Sequence, residues 1–381
     1  MNDHDVDGGL ARQLAGPFVG AGPLRAEEIG DGNLNVVHRV TGTAGSVIVK
    51  HAPPYLRVVG DAWPLTQDRI RIESQALQLH AEMAPGRGPT LLAVDLEHAA
   101  IVLEDLREHE VWRTALVNGR HVECVAEQLG RYCARTLLGT SDLVMDPARR
   151  KSLAAQFVNP ELCSITEELV FTAPYVESAS NRYDDAAAEL AAGLRADLPM
   201  RRAAAQLLWE FRTRHEALVH GDLHTGSIMV ADGDARVIDP EFAFFGPMAY
   251  DTGNVVANLA FAAIRHQEMG QDRFADTVTG YAHEFWQALT DEVRVVWPTT
   301  QPWDQIFTAN LLGDTGRYAA TELVRRIVGL AHVIDIDTLD DAARLRAQRR
   351  AVAGARSIAL GPAVRTLDDL WNRMTTKETA A

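Results

Sequence analysis

The run VHGDLHTGSIMV, Val219 to Val230, decides how the rest of the chain is read. An Asp on a short loop ahead of an apolar strand can take a proton from a hydroxyl, and in phosphoryl transfer an Asn five residues later holds a metal. Here the Asp is Asp222, and Ser227 stands where the Asn would be. Two apolar runs, SIMV and ARVI, flank ADGD, whose Asp-Gly step favours a tight hairpin. That hairpin is expected to bring Asp239, just after its second strand, beside Ser227, just before its first. Asp222 would then take a proton, while Asp239 and Glu241 of the DPE triplet face a cation. Ser227 would donate a hydrogen bond there or reach the metal through water.

Outward from this loop, the preceding hundred-odd residues are rich in Ala and Leu at helical spacing, and the first hundred read as a small sheet. EIGDGNLNVVHRV, TGTAG and SVIVK alternate strand, turn and strand. The turn GDGNLN, Gly30 to Asn35, has two glycines, Gly30 and Gly32, that permit close backbone approach to a phosphate. Asn33 and Asn35 are expected to donate amide hydrogen bonds to phosphate oxygens. It joins strand to strand, so a dinucleotide-binding βαβ turn is not expected.

Lys50 ends SVIVK and is read as the contact to the α- and β-phosphates of a nucleotide, with Glu73 on the following helical segment as its pairing carboxylate. PTLLAVD and AAIVLEDL are two more strands, and the two lobes join near Glu104, Asp105 and Leu106, giving lobes of 1–106 and 107–381. Trp63, between Gly and Pro, either closes over a ligand or pins its loop to the core. Arg325 and Arg326, at the start of the apolar run RRIVGLAHVID, are candidates for an oxygen-rich acceptor or for the transferring phosphate. His220 and His224 lack the helix and intervening Glu of a zinc site, so a structural His220 is expected.

Composition sets the outer limits. With 381 residues and 47% hydrophobic content the chain can build two lobes with a substantial core. A net charge of −15 disfavours nucleic acid, which needs clustered Lys and Arg, and any anionic ligand must be met by a few local cations. The absence of a long apolar run or a secretory start points to the cytoplasm. Three cysteines without Cys-x-x-Cys spacing argue against a disulfide framework or zinc site. The first 22 residues read as a leader or an irregular helix, and the polar stretch after Trp371 as a fraying tail.

Taken together, VHGDLHTGSI, DPEFAFFGPMAYD, GDGNLN, IVKHAPPYLRVVGDAWPLTQDR and RRIVGLAHVID resemble the aminoglycoside phosphotransferase and choline kinase superfamily, and within it the 5-methylthioribose kinase family. The resemblance spans about Glu28 to about Ala359, and it is weaker between about Arg107 and Gln206. It implies an α+β, two-lobed, protein-kinase-like fold, with a small sheet and one main helix in the first lobe and mostly helices in the second. It implies ATP and Mg2+ as cofactors and a small sugar as the partner, with neither membrane nor nucleic acid, in a cytoplasmic homodimer. The implied reaction is phosphorylation of the anomeric hydroxyl of 5-methylthioribose.

By position, the resemblance places the catalytic Asp on Asp222, the metal carboxylates on Asp239 and Glu241, and the nucleotide lysine on Lys50. Backbone groups of Glu104, Asp105 and Leu106 would hold adenine. Arg325 and Arg326 would bind the sugar, Trp63 would cover it, and the serine at 227 is the residue that family carries. A kinase of another small hydroxylated metabolite, and a nucleotide-binding scaffold without turnover, are the other readings.

Overall fold

The computed structural model describes residues 3–30, 34–57, 60–299 and 302–376, which form two compact units. The first comprises Met1–His109 together with Arg236–Ala243, and the second Glu110–Ala235 with Phe244–Ala381. By compactness the DPE segment therefore groups with the sheet, although the sequence reading assigns it to the helical lobe.

The first unit runs α1 (Asp3–Val19), β1 (Arg25–Glu28), β2 (Val36–Gly42), β3 (Gly45–His51), β4 (Tyr55–Leu56), β5 (Gly60–Pro64), α2 (Arg69–Met83), β6 (Leu91–Asp95) and β7 (Ala100–Glu104). Five strands pair antiparallel in the order β1-β2-β3-β7-β6. Alternation along β3 and β7 splits their side chains between two faces. Val47, Val49 and Val102 meet Ala11, Ala15 and Val19 of α1 on one face. Ile48, Ile101 and Leu103 meet Ile70 and Leu77 of α2 on the other. The single helix expected on the sheet is α2; the stretch read as a leader or irregular helix forms a second. Lys50, two residues beyond Ile48, falls on the α2 face. Glu73 lies on the same helical stripe as Ile70 and Leu77, so the sheet presents the lysine to the glutamate.

The second unit begins with β8 (Glu110–Val111), α3 (Trp112–Val117), α4 (Val125–Gly139), α5 (Pro147–Gln156), α6 (Pro160–Thr166), α7 (Ala188–Ala196) and α8 (Leu198–Thr213). There follow β9 (Ala217–Val219), β10 (Ile228–Ala231), β11 (Asp234–Val237), which leads the chain back into the first unit, and β12 (Phe244–Gly246). It ends with α9 (Met248–Glu268), α10 (Asp272–Val296), α11 (Trp303–Val328), α12 (Ile334–Asp337), α13 (Asp341–Leu360) and α14 (Leu367–Thr375). The expected strands at SIMV and ARVI are β10 and β11, neighbours in a sheet completed by β8.

Helix α9 is buried without interruption from Met248 to His266, which makes it the axis of this unit. It crosses α11 so closely that a Cβ on Gly253 would lie 2.8 Å from Tyr318 Cβ. The tail expected to fray after Trp371 is helical to Thr375. Trp371 is buried and donates to Thr279 Oγ1 (3.1 Å), and Arg350 donates to the Thr375 carbonyl.

Candidate active site

The residues singled out by sequence fall into two groups, one in each unit. In the first, buried Lys50 Nζ donates to Glu73 Oε1 (2.9 Å) and Asp239 Oδ1 (2.8 Å) and lies 4.0 Å from Glu241 Oε1. Burial opposes the charge on Lys50, but Asp239, Glu73 and Glu241 outweigh it, so the ammonium is held protonated far above its ordinary range. Burial pushes Glu73 up to about 8 against the pull of Lys50, and Glu73 Oε2 is buried without a hydrogen-bond partner. Burial also pushes Glu241 up. Three carboxyl groups, those of Glu73, Asp239 and Glu241, thus gather around Lys50 and Arg69.

Asp239 adopts the left-handed conformation (φ 64°, ψ 47°) ahead of Pro240, and about half of its side chain is exposed. That backbone region is sparsely used by residues other than Gly, although Asp tolerates it better than most. Here it turns the carboxylate toward Lys50.

Asn35 is tied to two side chains of the first unit. Its amide Nδ2 donates to Glu241 Oε2 (2.6 Å), its Oδ1 accepts from Arg69 Nε (2.8 Å), and the residue is 2% exposed. The amide thus helps to fix Glu241. Gly30 has φ +74°, the left-handed region that favours glycine. Gly32 and Asn33 lie outside the described residues. Glu104 accepts from the Thr90 amide and hydroxyl, and Asp105 is gripped by Arg39 and by Ser46 (2.6 Å). Leu106 is buried. Trp63 is half-buried and belongs to β5, a strand where the sequence suggested a loop.

In the second unit, the loop after β9 hangs from α9. Asp251 accepts the amides of His220 (2.7 Å) and Gly221 (3.0 Å), and Gly221 supplies the positive φ (+84°) the turn needs. His220, buried as expected, accepts the Asp222 amide at Nδ1 (3.3 Å). Asp222 Oδ1 lies 3.6 Å from Arg325 Nη2 and 3.9 Å from Arg326 Nη2, and Oδ2 lies 3.4 Å from His224 Nε2. Burial would raise the Asp222 carboxyl; His224, Arg325 and Arg326 together hold it well below the usual range.

His224 itself is kept down at about 4, first by burial and also by Arg113 and Arg326, against the attraction of Asp222. At neutral pH it is therefore an uncharged donor. Its Nδ1 accepts the Gly226 amide (3.0 Å), which leaves the proton on Nε2, facing Asp222. Ser227 Oγ donates to the Asp222 carbonyl (2.8 Å) and is 4% exposed. The hydroxyl, one of whose two expected roles was to donate a hydrogen bond, thus closes the loop.

Glu322, one turn before the arginines on α11, accepts from Nε of both Arg325 and Arg326 (2.7 Å for Arg326). Although burial raises it, the two guanidinium groups bring Glu322 down to about 2. Fixing both Nε atoms leaves the Nη atoms to face Asp222. The sequence reading missed Glu322, yet its i−3 and i−4 spacing from the arginines is a usable signal. It missed Asp251 and Arg69 as well, whose partners are remote in sequence.

A buried lysine paired to a helix glutamate and to an acidic DPE turn, and on the other unit a carboxylate flanked by arginines, are the kinds of part a phosphotransferase uses. The chain belongs to the phosphotransferase enzyme family, whose model matches residues 25–291. Its branch is that of the methylthioribose kinases. It is 40% identical over 380 residues to the methylthioribose kinase of Pectobacterium carotovorum subsp. carotovorum strain PC1, covering 96% of this chain and 95% of that one. To the enzyme of that name from Yersinia enterocolitica serotype O:8 it is 38% identical over 378 residues, 95% of this chain and 94% of the other. Among solved structures, a spectinomycin phosphotransferase in complex with ADP and spectinomycin aligns over 83% of this chain and 86% of its own, with 13% identity and a TM-score of 0.48.

Proposed function

We propose that the protein is an ATP-dependent kinase that phosphorylates the anomeric hydroxyl of 5-methylthioribose, giving the 1-phosphate for methionine salvage. The near full-length identity to methylthioribose kinases carries this reading, and the Asp222 cluster supports it. Two arginines beside the carboxylate suit a neutral polyhydroxyl acceptor and the charge that develops on a transferring phosphate, and they disfavour a cationic acceptor such as choline.

In this reading Asp222 receives the acceptor hydroxyl as a hydrogen-bond donor and orients its oxygen. With its carboxyl held so low, proton uptake comes late, once the bond to phosphorus has largely formed. Arg325 and Arg326 steady the sugar oxygens and the migrating charge. Lys50, kept charged, contacts the α- and β-phosphates, and Glu73 holds it in place. The segment Glu104–Leu106, pinned through Asp105 to Arg39 and Ser46, offers backbone groups to adenine, and Trp63 covers the sugar.

The donor set fits Mg2+: Asp239 and Glu241 offer hard oxygen ligands. Among the described residues no three His, Cys, Asp or Glu could hold a metal, so phosphate oxygens would complete the shell. When bound, Mg2+ supplies charge neutralisation to the phosphates. The reading includes a cytoplasmic homodimer, which the family resemblance alone supports. None of the described helices is long and apolar enough to cross a membrane.

ADP release from Mg-ATP in the presence of methylthioribose, choline or kanamycin tests the acceptor. Turnover with methylthioribose alone is expected, and turnover confined to either of the others would overturn it. Asp222→Asn should lower kcat by roughly 10²–10⁴-fold; near-normal turnover would remove Asp222 from its role.

A further inference from the structure

Arg113, the second residue of α3, is far in sequence from Asp222, Arg325 and Arg326, yet its guanidinium is woven into the acceptor side of the site. Its Nε donates to Thr225 Oγ1 (3.1 Å), on the turn that follows His224. Its Nη2 donates to Asn258 Oδ1 on α9 (2.6 Å), and Asn258 Nδ2 donates in turn to Glu322 Oε1 (3.0 Å). Glu322 holds the Nε atoms of Arg325 and Arg326, whose far ends flank Asp222. Asp222 meets His224, the residue next to Thr225, and the ring closes.

The same guanidinium is packed against the turn itself. A Cβ on Gly226 would lie 3.0 Å from Arg113 Nη1 and 2.8 Å from the His224 ring. Behind it, 3.6 Å from Nε, stands Asp335 of α12, 1% exposed, neither of whose carboxylate oxygens has a hydrogen-bond partner. Asp335 thus balances the buried cation without drawing it away from Thr225 and Asn258.

We infer that Arg113 is a positioning residue for phosphoryl transfer: its planar fork sets the Asp222–His224 turn and, through Asn258 and Glu322, the two arginines into one fixed arrangement. The inference rests on the assignment of Asp222, Arg325 and Arg326 to the acceptor side. Arginine is needed because the two donors leave the guanidinium in fixed, divergent directions; an ammonium keeps the charge but not that geometry. A misplacement of about 1 Å at a reacting group costs about 10²-fold in rate.

Two substitutions separate geometry from charge. Arg113→Lys should lower kcat about 10²-fold and leave the KM for ATP within about twofold, because the fork is lost while Lys50 and its partners are untouched. The groups facing His224 are Asp222, Arg113 and Arg326, together with the Gly226 amide and the Ser227 hydroxyl. In Arg113→Lys the imidazole, followed by NMR, should therefore titrate as in the parent. In Arg113→Gln, with one repelling cation gone, it should titrate at higher pH, and kcat should again be low.

Parent-like kcat in Arg113→Lys, or an unmoved His224 titration in Arg113→Gln, overturns the inference. Should the Arg113 variants fail to fold, Thr225→Val, which deletes a single hydroxyl from the ring, must show the same loss in kcat without a change in ATP KM, and parent-like turnover there is equally fatal. If Asp222→Asn turns over normally, it is the acceptor assignment that fails; if only the Arg113 and Thr225 variants do, the assignment stands and this inference falls.

Discussion

Glu322 shows how one side chain ties stability to the chemistry. Its carboxyl lies at about 2, below the ordinary carboxylate value of about 4.5, because two guanidinium groups outweigh its burial. The folded state therefore holds this proton less tightly than the unfolded chain. The stabilisation is full above the unfolded value and is lost as pH falls from about 4.5 toward 2, amounting to roughly 3 kcal/mol. Melting temperatures of the parent and Glu322→Gln should differ by a constant amount above about pH 5 and converge in acid. Lys50 gives a second test at this scale. Lys50→Met removes the cation shared by Glu73, Asp239 and Glu241 and leaves buried carboxyl oxygens without a donor, so it should cost roughly 1–3 kcal/mol of stability and weaken ADP binding. Denaturant unfolding and calorimetric titration with ADP measure the two effects separately.

At the scale of elements, α1 carries the clearest stability prediction. Ala15 is 0% exposed beneath the sheet and Arg12 lies on the helix's outer side. Ala15→Glu should lose roughly 3 kcal/mol or more, while Arg12→Glu should stay within about 0.5 kcal/mol, as read from urea unfolding. The stripe Leu10, Ala11, Leu14, Ala15, Phe18 and Val19 was present in the sequence at helical spacing. Gly8, Gly9, Gly16 and Pro17 obscured it, because their local preferences oppose a helix and only packing on the sheet overrides them. Strand patterns were readable by contrast, since alternation and turn residues agree along β2, β3, β6 and β7. Lys50, Glu73, Asp222 and the paired arginines were legible because each sits at a fixed place relative to a local pattern. The ties of Asn35 to Arg69 and Glu241 were not legible, because both partners are remote in sequence. Arg113 was not legible at all, as its partners come from three remote elements.

For the whole molecule, a net charge of −15 acts on an anionic substrate from all sides. Screening that field should help the nucleotide to arrive, so kcat/KM for Mg-ATP should rise by about twofold between 10 and 150 mM salt, in contrast to enzymes whose field attracts their substrate. The KM for an uncharged sugar should barely move over the same range. A fall in kcat/KM for Mg-ATP with salt would show that the local cations around Lys50 dominate the approach.

The first compact unit is assembled from two stretches of chain, Met1–His109 and Arg236–Ala243. On the ribosome this imposes an order of events. Lys50 and Glu73 emerge early and pair with one another, but Asp239 and Glu241 leave the exit tunnel only after most of the helical unit's first half has been made. Until then Asn35 and Arg69 lack the carboxylate they are built around, so the nascent sheet waits in an unfinished form. A fragment ending at His109, which lacks Asp239 and Glu241, is accordingly expected to bind ADP more weakly than the whole chain in calorimetric titration.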